Sequence, residues 1–212
     1  MHIPDGILPA EVAIAGYVTA GALSWYSLRR INQQPDPEAG MPKAALLTSA
    51  FFVASWIHIP VPPTSVHLVL NGLLGIVLGW YAFPAILIGL FFQAVLFGHG
   101  GLTSLGVNAT MMGLPALLAL LFFRLRHRLR LDNRNWTGIF AFLSGMGGLV
   151  LAALIAMTVL IATIPADLDV DAEREAIYSL TLAHVPLGII EGAFAAALVL
   201  YLLRVKPELL ET

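Results

Sequence analysis

Long apolar runs fill most of the chain, separated by short polar or glycine- and proline-rich connectors. The runs are too long for soluble strands. Each is near the roughly 20 residues that a helix needs to cross the hydrocarbon core of a bilayer. Seven such spans are predicted, at about 9–30, 43–59, 64–80, 83–98, 106–125, 136–164 and 173–204. The third and fourth are joined by "GWYAFP", which offers Trp80 and Tyr81 as interfacial anchors. Six spans would follow if 43–59 inserted only in part. The expected fold is therefore an all-α integral membrane bundle of about seven transmembrane helices, forming one domain over 1–212.

Charge favours the seven-span count. Arg29, Arg30, Lys43, Arg124, Arg126, Arg128, Arg130, Arg134, Arg204 and Lys206 fall on one side in this arrangement, and Arg174 alone on the other, which is 10 of the 11 basic residues. The positive-inside rule makes the basic side cytoplasmic, with the N-terminus outside and the C-terminus inside. The basic run "RLRHRLRLDNR" reads as a stop-transfer anchor. Composition agrees: 58% of the residues are hydrophobic and 11% charged, against roughly 25% charged in a soluble domain. A prokaryotic cell membrane is the expected location, with lipid as the surrounding partner and no nucleic acid. The absence of cysteine excludes disulfides and thiolate metal sites.

Three connectors stand out. "INQQPDPEAGMP" (31–42) is a polar inner connector, and "PADLDVDAERE" (165–175) an acidic outer loop. "GHGGLTSLG" (98–106) is too rich in glycine for a lipid-facing helix and reads as an outer or re-entrant loop. No internal repeat is evident, so an inverted-repeat carrier lacks support.

The histidines are distributed unevenly. His127 lies in the basic run, where it reads as solvated, whereas His2, His58, His67, His99 and His184 fall at or in the outer half of the membrane. Any one alone reads as a hydrogen-bonded interfacial histidine. Convergence from five segments points to a transition metal, because neutral imidazole suits zinc, copper, iron and nickel.

The opening "MHIPDG" gives that idea a specific form. A free amine on Met1, the amide nitrogen of His2 and the His2 Nδ1 can chelate one ion through fused five- and six-membered rings. Three nitrogens in a plane suit Ni(II) or Cu(II), with an imidazole from elsewhere filling the fourth corner. This requires a retained Met1, which the bulky second residue favours, and no leader ahead of it, as the lack of any Lys or Arg before Arg29 suggests. Pro4 and Gly6 allow a sharp turn that tucks the terminus toward the bundle. Asp5 could accept a hydrogen bond from a ligand imidazole.

With "PPTSVHLVLNGLLG", "QAVLFGHGGLTSLGVNATMMG" and "LAHVPLGIIEGAF" added to "MHIPDGIL", the chain resembles the CbiM/NikM permeases from Met1 to about Phe194. These are the substrate-specific components of energy-coupling-factor (ECF) ABC transporters for cobalt and nickel. The resemblance implies that Met1 and His2 are metal ligands and that His67, at the outer end of a later helix, supplies the fourth. Ni2+ or Co2+ is then the transported substrate, supplying cobalamin biosynthesis or nickel enzymes. Cobalt-type members carry Cys/Ser-His-Pro-Thr-Gly where this chain has "TSVHLVLNG", which leans toward nickel.

The chain has no G-x-x-x-x-G-K-[ST], so no ATP site is expected on it. The resemblance implies a pair of ABC-type ATPase subunits, a transmembrane coupling (T) subunit and a small accessory membrane subunit. Small-residue faces at Gly188, Gly192 and Ala196, and at Gly75 and Gly79, offer docking or internal packing. Glu191 is the one acidic residue deep in a span, seven positions after His184. It reads either as a structural hydrogen-bond partner near Pro186 or as part of the metal or proton path. Asn71, Thr103 and Asn108 are candidates to orient the ligands. Two rivals remain. A stand-alone metal channel or secondary carrier needs no ATPase. An intramembrane hydrolase lacks G-x-S-x-G, cysteine and H-E-x-x-H.

Overall fold

A computed structural model describes residues 2–61 and 64–210; for residues 58–61, 64 and 65 it describes the backbone only. Seven α-helices run through the described residues: α1 (Ala10–Ile31), α2 (Met41–Ala54), α3 (Asn71–Leu78), α4 (Ala82–Phe97), α5 (Leu105–Arg128), α6 (Arg134–Ala162) and α7 (Val170–Val205). Four stretches, 71–97, 105–128, 134–162 and 170–205, are long and apolar enough to cross a membrane, and α2 is a shorter apolar helix. Their outward faces carry exposed apolar side chains such as Leu46, Leu121, Leu182 and Tyr201, as lipid contact requires. The chain is a multi-pass, all-α membrane protein.

The chain expected to form a third span is not one helix. Residues 58–61 (β1) and 64–67 (β2) form an antiparallel pair with His58 opposite His67. Helix begins only at Asn71. It stops at Gly79, whose φ of 60° and ψ of −127° are open to glycine but not to other residues. A straight helix over 71–97 would measure about 40 Å. Yet the rings of His67 and His99, just beyond its two ends, have centroids 5.3 Å apart. The chain must therefore double back at 79–81, placing the end of α4 beside the strand pair.

Trp80 and Tyr81, expected as interfacial anchors, are buried at this reversal. Tyr26 meets the Trp80 ring edge-on, and the Arg30 and Arg124 guanidinium groups lie 5.0 and 5.7 Å from its centroid. The Tyr81 hydroxyl donates to the Pro37 carbonyl. These residues lock the α1–α2 connector against the bundle instead of meeting headgroups.

The small-residue faces pack within the chain. A side chain at Gly75 would strike the Ala116 carbonyl of α5, and one at Gly192 would come 2.7 Å from the Phe142 carbonyl of α6. Close backbone approach of α3 to α5 and of α6 to α7 is what the glycines permit. His127 is exposed, as expected, with its ring beside the Asp132 carboxylate.

Candidate metal centre

The N-terminal segment is drawn in and held by side chains more than 90 positions away. Ile3 is buried. Its amide donates to Asn108 Oδ1 at 2.9 Å, and its carbonyl accepts from Asn108 Nδ2 at 2.9 Å and from the Ser104 hydroxyl. Asn108 thus pairs with Ile3 as a neighbouring strand would, at the first turn of α5. Asp5 does not bond an imidazole, as the sequence suggested. Its carboxylate accepts from the Thr103 hydroxyl and amide, the latter at 2.7 Å, and from the Leu102 amide at 3.1 Å. The Thr103 hydroxyl, with these backbone amides, holds the Asp5 carboxyl below its ordinary value. Gly101 is required here, because a Cβ at that position would run into the Asp5 carboxylate. Gly6, at φ +82°, supplies the expected turn.

This clamp delivers His2 to His67 and His99. The His2 and His67 rings stack with centroids 5.0 Å apart, and His99 meets His2 edge-on at 4.2 Å. One ligand nitrogen from each of the three lies within 4.8 Å of the others. The tautomers follow from the hydrogen bonds. His67 Nδ1 lies 3.0 Å from the Leu68 carbonyl, which can only accept, so Nδ1 carries the proton. His67 Nε2 then presents a lone pair to His2 Nδ1, 3.2 Å away. Two imidazole nitrogens bound to one ion at about 2.0–2.1 Å stand about 3 Å apart at a right angle and about 3.4 Å apart in a tetrahedron. The observed separation matches joint ligation of one ion. Burial, with His67 and His99 beside it, holds the His2 imidazole well below its ordinary pKa, in the neutral form that binds metal.

The other expected residues divide. His67 lies on β2, not on a helix as expected. His99, which the sequence offered only as a supporting residue, joins the cluster. Thr103 and Asn108 hold the terminus. Asn71 does not orient His67; its amide donates to the Met112 and Gly148 carbonyls and ties α3 to α5 and α6. Glu191 finds its partners in the turn between β2 and α3. Its buried carboxylate accepts from the Val69 amide and, at 2.9 Å, from the Leu70 amide. Leu70 has φ +56°, unfavourable for a branched side chain, and Glu191 fixes that turn between β2 and α3. His184 is fully buried on α7, its Nδ1 2.7 Å from the Leu180 carbonyl. Met1 and the His58 side chain lie outside the described residues. Gln93, which sequence reading missed, is buried beside His2 and donates to the Ser55 hydroxyl at 2.9 Å. A lone polar residue within "IGLFFQAVLF" was the available signal.

The family model described as "Cobalt uptake substrate-specific transmembrane region" matches residues 2–209. A putative metal transport protein of Haemophilus influenzae is 35% identical over 212 residues, covering 99% of this chain and 97% of that one. A putative fused nickel transport protein NikMN of Archaeoglobus fulgidus is 29% identical, covering all of this chain and 68% of its own length. A crystal structure titled as a transition metal transporter shares the fold, with a TM-score of 0.77, 24% identity, and coverage of 97% of this chain and 93% of that one.

Proposed function

Since the chain belongs to the family of cobalt-uptake substrate-specific transmembrane regions, we propose that it captures Ni2+ or Co2+ at its histidine end as the substrate-specific subunit of an ECF-type transporter. The observation that carries this is the 3.2 Å approach of His2 Nδ1 to a His67 Nε2 whose lone pair is fixed by Leu68. An all-nitrogen donor set, in which the His2 amide gives up its proton to solvent on binding, suits nickel and cobalt and disfavours magnesium and calcium, which take oxygen. In this reading the Met1 amine and His2 amide nitrogen complete a planar set with His2 Nδ1 and His67 Nε2, and His99 closes over the open face. Capture occurs outside, with N-terminus out and C-terminus in. Release to the cytoplasm is driven by ATP on separate ATPase subunits through a coupling subunit, and the metal goes to cobalamin synthesis or nickel enzymes. The fused architecture of the Archaeoglobus relative, which extends beyond the length matched here, supports an accessory subunit working beside this chain.

The test adds one alanine before Met1. The free amine moves out of the chelate although no side chain is lost. A histidine at position 3 can still chelate through an amine and two amides, but that fills four corners and excludes His67. In the native chain His67→Ala should abolish tight nickel binding and uptake. In the extended chain it should change binding little, with uptake already lost. Normal ATP-dependent uptake by the extended protein, still dependent on His67, would overturn the assignment. Uptake in ATP-free vesicles by this chain alone would favour a channel or carrier.

A further inference from the structure

A cavity of about 70 Å³ opens behind His2, between α6 and α7. Its walls are mostly apolar, including Ala153, Ala156 and Met157, but it is also lined by His2, Thr181 and His184. The Nε2 atoms of His2 and His184 are both buried and have no hydrogen-bond partner within 3.5 Å, as is true of Oε1 of Gln93, the other polar side chain that interacts with His2. A buried polar nitrogen left unsatisfied is destabilising, so each calls for a partner. The proton positions are constrained. His184 Nδ1 must donate to the Leu180 carbonyl, so its Nε2 offers a lone pair. Thr181 donates its hydroxyl to the Ile177 carbonyl at 2.8 Å and keeps its own lone pairs.

Resting on the proposed site, we infer that His184 is a positioning residue for the metal-binding imidazole of His2, acting through one water held in this cavity. The volume exceeds the roughly 10–15 Å³ that a water centre needs, and three polar partners meet the usual requirement of two to four. Ligation through Nδ1 forces the His2 proton onto Nε2. That N–H donates to the water, which donates in turn to His184 Nε2 and Thr181 Oγ1. Without metal, His2 Nδ1–H donates to His67 Nε2, and the same water turns to donate to His2 Nε2. The water therefore satisfies both tautomers, and metal capture leaves no buried nitrogen unpaired. Partners of this kind fix ring orientation, and their loss lowers metal affinity by about 10–100-fold.

The test uses the full chain in nanodiscs, with nickel titrated against a chelator and 15N spectra of the labelled histidines. His184→Leu should weaken nickel binding about 10–100-fold at unchanged stoichiometry and shift the loaded His2 Nε2–H resonance. His184→Gln, whose side-chain oxygen can accept from the water, should restore most of both. Should His184→Leu fail to fold, Ala156→Val fills the cavity from α6 and should reproduce the loss. His2→Ala is run beside them. If it binds nickel as the native chain does, the site assignment itself is wrong. If it loses binding while His184→Leu and Ala156→Val keep native affinity and the native His2 resonance, only the role of His184 is overturned. It is overturned equally if Gln93→Leu, not His184→Leu, moves the His2 Nε2 signal.

Discussion

Replacing Asn108 with alanine isolates the N-terminal clamp, because this side chain touches none of the three clustered imidazoles by hydrogen bond. It removes the acceptor for the Ile3 amide and one donor to the Ile3 carbonyl. The carbonyl keeps Ser104, so its loss is small. The amide, with Ile3 only 3% exposed, is left buried and unpaired. That penalty is about 1–3 kcal/mol. It falls on the docked terminus and not on the undocked one, which water can reach. At 1.4 kcal/mol per tenfold, apparent nickel affinity should drop about 5–150-fold, up to the point where docking stops limiting binding. Chelator competition on purified protein measures the drop, and the melting temperature establishes that the bundle persists. Asn108→Asp keeps an acceptor for the Ile3 amide and should lose less. Native affinity in Asn108→Ala, with the fold intact, would refute the idea that Asn108 presents His2 to the metal.

Further outcomes follow from the same contacts. Gly101→Ala, whose methyl would meet the Asp5 carboxylate, should weaken metal binding, whereas Gly147→Ala, with open space at the Cβ, should leave it unchanged; both are read by nickel titration. Glu191→Gln leaves one of the Val69 and Leu70 amides a neutral acceptor and sets an NH2 donor against the other, and should lower the melting temperature; Glu191→Leu should lower it further. The Asp5 carboxyl is held below its unfolded value, so its stabilising effect is present at neutral pH and lost as pH falls through the folded value. The stability difference between the native chain and Asp5→Ala should thus be constant above about pH 5 and fall to a smaller remainder well below the ordinary aspartate pKa of about 3.9, as followed by thermal melts across pH.

The helical bundle was legible because apolar run length and basic residues at span ends are local signals. That His2 and His67 stand side by side was anticipated through spacing and family likeness. The strand pair was not, although "HIPV" and "TSVH" are short β-favouring runs around prolines. Their apolar character merged with the α3 run and read as one span. Asp5 was given the wrong partner because its bonds reach 97 and 98 positions along the chain to backbone amides, which sequence does not display. His99 and Gln93 join the site only because the chain reverses at Gly79, a backbone event marked by one glycine among 19. Trp80 and Tyr81 look like interfacial residues by type. Their burial follows from the Arg30, Arg124 and Pro37 partners that the fold brings to them.

The pairing of Ile3 with Asn108 also imposes a timetable. The two residues are 105 positions apart. At about 5–20 residues per second of synthesis, Asn108 leaves the ribosome roughly 5–20 s after the start of the chain does. Throughout that interval the first residues have no cradle, however early α1 enters the bilayer. Competence to take up metal is therefore a late event in biogenesis, arriving only when α5 is in place. A nascent chain truncated before that helix would carry its histidine to the surface without the Asn108 cradle that docks it, so a half-made protein competes for scarce metal less well than the finished one.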